Sequence, residues 1–132
     1  MNAIDKKERR VVVTGIGMIS PVGQSAKECW EALLSGTSGV GSLTLFDPAA
    51  HGIETRIAAE VKNFNIQDFY PDKRKAGNFL KEMDRVTLFA MAAAKLAVDD
   101  AALKIDEGNA ERVATFIGTG VGGLTTTLQD YQ

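Results

Sequence analysis

The chain has 132 residues, 45% hydrophobic and 24% charged, with a formal net charge of −2. That is the composition of one globular domain, with no electrostatic footprint for nucleic acid or an anionic membrane, and no apolar run approaches the ~20 residues that span a bilayer. One cysteine, Cys29, and one histidine, His51, exclude an intrachain disulfide and leave little for a metal site, and the polar start lacks a signal-peptide core, so a reducing, cytoplasmic setting is expected.

Residues Met1 to Glu8 read as a solvated arm. Val11, Val12 and Val13 form a β-branched run ending in Thr14-Gly15, the pattern of a buried strand. Gly15 to Gly23 is a glycine-bounded loop. Ser25 followed by Glu28 is a capping box that opens a helix with Ala26, Cys29, Trp30 and Leu33 on one face, and Gly36 closes it. Thr37 to Glu54 shows no sustained period, with a turn signal at Asp47-Pro48.

Thr55 to Val61 is a second strand candidate. Asn63 to Asp72 reads as a connector with room for a short helix, and Lys73, Arg74, Lys75 and Lys81 make a basic stretch read as a solvated linker. Met83 to Leu103 has the strongest helical pattern, with Val86, Phe89, Ala90, Ala93, Leu96 and Ala97 at three- and four-residue spacing. Its alanines permit close packing against another element. Val113 to Ile117 is a third strand candidate, Gly118 to Gly123 turns out of it, and Leu124 to Tyr131 begins a helix. Strand and helix alternate, which predicts an α/β layered fold with at least partly parallel pairing.

Candidate chemistry is sparse. Gly118, Gly120 and Gly123 satisfy the Gly-x-Gly-x-x-Gly spacing of a dinucleotide fingerprint between a strand and a helix. The alternative is a tight turn where backbone approaches backbone. Gly15-Ile-Gly17 has the same opening, but Ser20 replaces the third glycine. Cys29 has apolar helical neighbours and no base at catalytic spacing, the setting of a buried structural thiol. His51 has no second ligand nearby in sequence and reads as a surface residue. Asp99 and Asp100 are adjacent on a helix and do not face one another, so a solvated face accounts for them. The basic stretch has a functional reading beside the bland one: a docking patch for an acidic partner.

Taken together, several segments resemble the elongating β-ketoacyl-acyl carrier protein synthases. They are Arg10-Val-Val-Val-Thr-Gly-Ile-Gly-Met-Ile-Ser-Pro-Val-Gly23, Trp30-Glu-Ala-Leu-Leu-Ser-Gly-Thr-Ser-Gly39, Met83-Asp84-Arg85 before an alanine-rich helix, and Ile117-Gly-Thr-Gly-Val-Gly-Gly123. They stand in the family's order and span nearly the whole chain.

The resemblance implies a thiolase-like α/β fold, with residues 1–132 forming an incomplete N-terminal half of a subunit that pairs as a homodimer. It implies decarboxylative Claisen condensation of an acyl thioester with malonyl-acyl carrier protein, without metal or cofactor. The family's catalytic cysteine and histidines lie downstream of the glycine turn, so no catalytic residue is expected here, and residues 1–132 alone are expected to be inactive. Two roles carry over. Val121 stands where the family borders its acyl channel. Lys81 stands where basic residues dock the acyl carrier protein, beside Glu82, which departs from the base often found there. A non-catalytic partner of the chain-length-factor kind, and a dinucleotide-binding domain, are the alternatives.

Overall fold

The computed structural model describes residues 10–131, so the expected arm Met1 to Glu8 lies outside the described residues. Its regular elements are α1 (Ala26–Leu34), β1 (Val40–Ser42), β2 (Ile57–Ala59), α2 (Lys73–Glu82), α3 (Arg85–Asp100) and α4 (Leu124–Asp130). Short 3-10 turns lie at Ala49–His51, Ile66–Asp68 and Ala110–Arg112.

The local rules for helix ends account for α1. The Ser25 hydroxyl accepts from the Glu28 amide at 3.2 Å, and the Glu28 carboxylate reaches back to accept from the Gln24 amide at 2.7 Å. Both satisfy donors that a helix start leaves orphaned. Past the C-cap Ser35, Gly36 takes φ +69, a left-handed conformation open to glycine at no steric cost. The expected buried face is only partly realised. Cys29 is buried, whereas Trp30 and Leu33 remain exposed, because no other element among the described residues covers that side of α1.

The basic stretch is a helix, not a linker. Asp72 is the N-cap of α2 and accepts from the Lys75 amide at 2.9 Å. Ala76 is buried and Phe79 half-buried on one face, while Lys73, Arg74, Lys75 and Lys81 stay in solvent. The Asp72 cap and the Ala76-Phe79-Met83 spacing were the available signals. α2 ends at Glu82 with Met83 as its C-cap, and α3 runs from Arg85 after its N-cap Asp84, so the long predicted helix begins two residues later than expected.

The core forms where α2 and α3 meet the Ile66 turn. Ile66, Ala76, Leu88 and Ala92 are buried together. Phe64 stands edge-on to Phe89 with centroids 4.8 Å apart, and Tyr70 edge-on to Phe79 at 5.6 Å; such pairs add to the area they bury. The Tyr70 hydroxyl donates to the Met91 carbonyl at 3.3 Å. Arg85 donates to the Val61 carbonyl at 2.6 Å and lies 4.9 Å from the Phe89 ring centre. The face expected to point inward did not include Leu88 or Ala92. α3 is apolar nearly all round, so spacing alone does not say which stripe meets the core.

Pairing differs from the expectation. β1 and β2 form an antiparallel pair, Val40 opposite Ala59 and Ser42 opposite Ile57. β2 lies within the expected Thr55 to Val61 strand, and β1 lies in a segment with no legible period. Val11 to Val13 and Val113 to Ile117 join no ladder among the described residues. A β-branched run states a preference, but a strand exists only where a second strand supplies hydrogen-bond partners.

A buried carboxylate closes the β1–β2 connection. Glu60 accepts from the Thr44 amide at 2.9 Å, the Thr44 hydroxyl at 2.6 Å and the Leu45 amide at 3.1 Å. The Thr44 hydroxyl and amide, then the Leu45 amide and the charge of Lys62, hold this carboxyl below the ordinary glutamate range despite its burial. A depressed carboxylate pKa contributes stability that is present above the unfolded value and lost as pH falls through the folded one. Protection of the Thr44 and Leu45 amides from hydrogen exchange is therefore expected to persist from neutral pH down past the ordinary glutamate range and to fall only below it. Glu60→Gln is expected to lack that acid-side transition. The same transition persisting in the variant would show that another group controls this loop.

Candidate functional site

The best-formed concavity is an apolar groove of about 760 Å³ between α3 and the segment that leads into α4. Val86, Ala90 and Ala94 form one wall, and Ile117, Gly118 and Gly122 form the other. Small residues at i and i+4 on α3 let a groove of this width lie along the helix. The glycine turn has few neighbours. A Cβ placed on Gly118 or Gly120 would have nothing within 4 Å, and Gly123 takes φ +70 immediately before α4.

Val121 sits at the tip of this turn, 77% exposed. Its neighbours Thr119 and Gly122 line the groove, but Val121 itself does not. Lys81 is exposed in the last turn of α2, with Glu82 beside it. It stands just before the Met83-Asp84 break that begins α3.

Asp84 joins these parts. Its Oδ1 accepts from the Val86 amide at 3.2 Å and caps α3. Its Oδ2 accepts from the Thr126 amide at 3.3 Å and the Thr126 hydroxyl at 3.1 Å, across 42 residues of sequence. The Val86 amide, then the Thr126 amide and hydroxyl, hold this carboxyl below the ordinary aspartate range. The sequence showed Asp84 as part of a landmark, but nothing in the spacing connected it to Thr126. Asp100 was missed similarly: its Oδ2 accepts from the Ile16 amide at 2.8 Å, while Asp99 pairs with Lys95.

The other candidates lie elsewhere. Cys29 is buried; its Sγ is 3.1 Å from the Ser20 hydroxyl and donates to the Gly23 carbonyl at 3.3 Å. It therefore ties the Ser20–Gly23 turn to α1, and its hydrogen-bond partners among the described residues include no base. His51 is exposed and packs edge-on against Phe46, with centroids 5.9 Å apart. Among the described residues, no group of three His, Cys, Asp or Glu side chains is placed to hold a metal ion. No described helix is long and apolar enough to cross a membrane.

Gly15 and Gly17 serve packing. A Cβ on Gly17 would lie 1.9 Å from the Ala93 carbonyl oxygen, and one on Gly15 would lie 2.3 Å from that of Ala97. The loop backbone thus lies directly on the alanine face of α3. This is the close approach that the alanines permit, and it gives the first Gly-x-Gly a structural reason with no nucleotide.

Residues 8–132 match the family described as "Beta-ketoacyl synthase, N-terminal domain". The chain is 42% identical over 120 residues to "3-oxoacyl-[acyl-carrier-protein] synthase 2" of Staphylococcus aureus (strain COL), covering 91% of this chain and 27% of that protein. It is 40% identical over 126 residues to the protein of the same name from Synechocystis sp. (strain ATCC 27184 / PCC 6803 / Kazusa), covering 96% of this chain and 28% of that one. A solved structure described as "The ishigamide ketosynthase/chain length factor" superposes with a TM-score of 0.59 at 37% identity, over 73% of this chain and 22% of that chain. The chain therefore spans little more than a quarter of the length of the curated relatives it matches.

Proposed function

The chain belongs to the β-ketoacyl synthase family, to whose N-terminal domain it corresponds, and on that premise we propose that the complete protein elongates acyl chains on acyl carrier protein in fatty-acid synthesis. The observation that carries this reading is 42% identity, over 91% of the chain, to a relative named for that activity. In the reaction, a cysteine thiolate displaces the carrier-protein thiol and forms an acyl-enzyme thioester. Malonyl-carrier protein loses carbon dioxide; the carbanion attacks the thioester carbonyl, and collapse of the oxyanion expels the cysteine thiolate. The proposed protein is a cytoplasmic homodimer with a thiolase-like fold.

Residues 1–132 are the N-terminal part of that machine, and the nucleophile and its histidines belong to the remainder of the protein. The engagement of Cys29 with Ser20 and Gly23 supports assigning the nucleophile elsewhere. Val121 is proposed to border the acyl channel and Lys81 to meet the acidic carrier protein. The exposed, cationic outer face of α2 supports the latter, since such charge chiefly speeds encounter. The dinucleotide reading gains nothing from the family match.

The complete protein, incubated with acyl- and malonyl-carrier protein, is expected to form β-ketoacyl product, and residues 1–132 alone to form none. Val121→Phe is expected to discriminate against long acyl chains before short ones. Lys81→Glu is expected to raise KM for acyl-carrier protein roughly fivefold with kcat little changed, an effect that salt diminishes. The second reading is a non-catalytic partner subunit; the name of the solved relative covers both a ketosynthase and a chain length factor and favours neither. A complete protein with no cysteine at the nucleophile position and no product would establish that one instead.

A further inference from the structure

We propose that Asp84 is a positioning residue that, through Thr126, holds the 118–123 glycine turn against α3 and so sets the width of the apolar groove between them. The two walls of the groove converge on this carboxylate. Val86 and Thr87 follow it on α3, and Gly122 and Gly123 precede Thr126. The turn has little else to hold it. The sites where Cβ atoms of Gly118 and Gly120 would lie are empty to 4 Å, and Val121 is largely in solvent.

The Thr127 amide and hydroxyl both donate to the Gly123 carbonyl at 3.0 Å, which binds α4 to the turn but neither of them to α3. Among the described residues, the hydrogen bonds from α4 to the start of α3 both end on Asp84 Oδ2. A charged acceptor shared by two donors is a strong link between segments otherwise joined by loose packing. The inference rests on the proposed reading of this turn as a border of the acyl channel. It adds that channel width is fixed by Asp84, the N-cap of α3, which does not itself line the groove.

The test uses the complete protein with Asp84→Asn and Thr126→Val, singly and together. Asparagine keeps an acceptor for the Val86 amide, so the cap is retained. Its amide nitrogen then meets the Thr126 amide donor to donor, so that bond is lost, and Thr126→Val removes the bond from the hydroxyl, which could otherwise turn to accept. Amide exchange across residues 118–126 is expected to quicken about tenfold, with the later turns of α3 unchanged. The ratio of kcat/KM for long over short acyl chains is expected to rise at least about threefold. The two substitutions are expected to be non-additive, as for partners in one link.

Glu60→Gln, which loosens a loop outside the groove lining, is expected to leave that ratio unmoved. A uniform loss at every chain length, or unchanged exchange at residues 118–126, would overturn the proposal. If the complete unmodified protein forms no product, the functional reading falls and exchange alone decides. Faster exchange in Asp84→Asn then upholds the clamp, and unchanged exchange sinks it.

Discussion

Gly17→Ala is expected to destabilise the complete protein by about 3 kcal/mol, near the upper end of ordinary overpacking. The added methyl would lie 1.9 Å from the Ala93 carbonyl oxygen and 2.7 Å from the Ala97 amide nitrogen. Both are backbone atoms of α3, so no side chain can rotate away, and the loop must lift. Lifting also stretches the bond from the Ile16 amide to Asp100. Alanine restrains the unfolded chain and returns only about 0.4–1 kcal/mol, so the clash wins. Gly118→Ala is the control. Its Cβ would meet nothing within 4 Å, and a change within about 0.5 kcal/mol is expected. Denaturant unfolding of both variants measures the difference. Equal midpoints would show that the loop does not lie on α3 as closely as these distances state.

Residues 1–132 on their own are expected to self-associate and to unfold without a sharp transition. Their accessible surface is 11100 Å² for a mass of 14.1 kDa, whereas a compact monomer of that mass exposes about 6,700 Å². The excess includes apolar side chains that a domain ordinarily buries. Val11 and Phe116 are each 94% exposed, in segments with no strand partner among the described residues. Each such side chain left in water forgoes about 1.5–3 kcal/mol, against a total stability of about 5–15 kcal/mol for a whole domain. Unpaired backbone beside exposed apolar residues recruits other chains.

The helices have local caps and a shared core, so far-ultraviolet dichroism is expected to remain helical. Trp30, at 61% exposure, reports poorly on packing. Tyr70 is the better probe, because it packs on Phe79 and donates to Met91. Light scattering that shows a monomer, with a two-state transition followed through Tyr70, would contradict this expectation.

The sequence by itself determined what local chemistry determines. Ser25 and Glu28 capped α1, Gly36 ended it, and the three- and four-residue spacing after Met83 marked most of α3. Each involves partners within a helical turn, so the pattern is written in adjacent residues. The order of the landmark segments likewise carried the family. α2 was legible too, from Asp72 and the Ala76-Phe79-Met83 spacing, but the density of basic residues obscured it.

Tertiary structure decided the rest. Val11 to Val13 and Val113 to Ile117 carry strand composition, yet whether such runs become strands depends on partners far away in sequence. Gly15-Ile-Gly17 and Gly118-Thr-Gly120 look alike as strings. One lies on the backbone of α3 and the other faces open space, a difference set by what packs beside each. Asp84 and Asp100 each look like an ordinary helix-end acid, but one reaches Thr126 and the other Ile16. Spacing encodes neighbours one turn apart, whereas a hydrogen bond across 42 or 84 residues exists only after helices and loops have docked, so only the folded chain shows it.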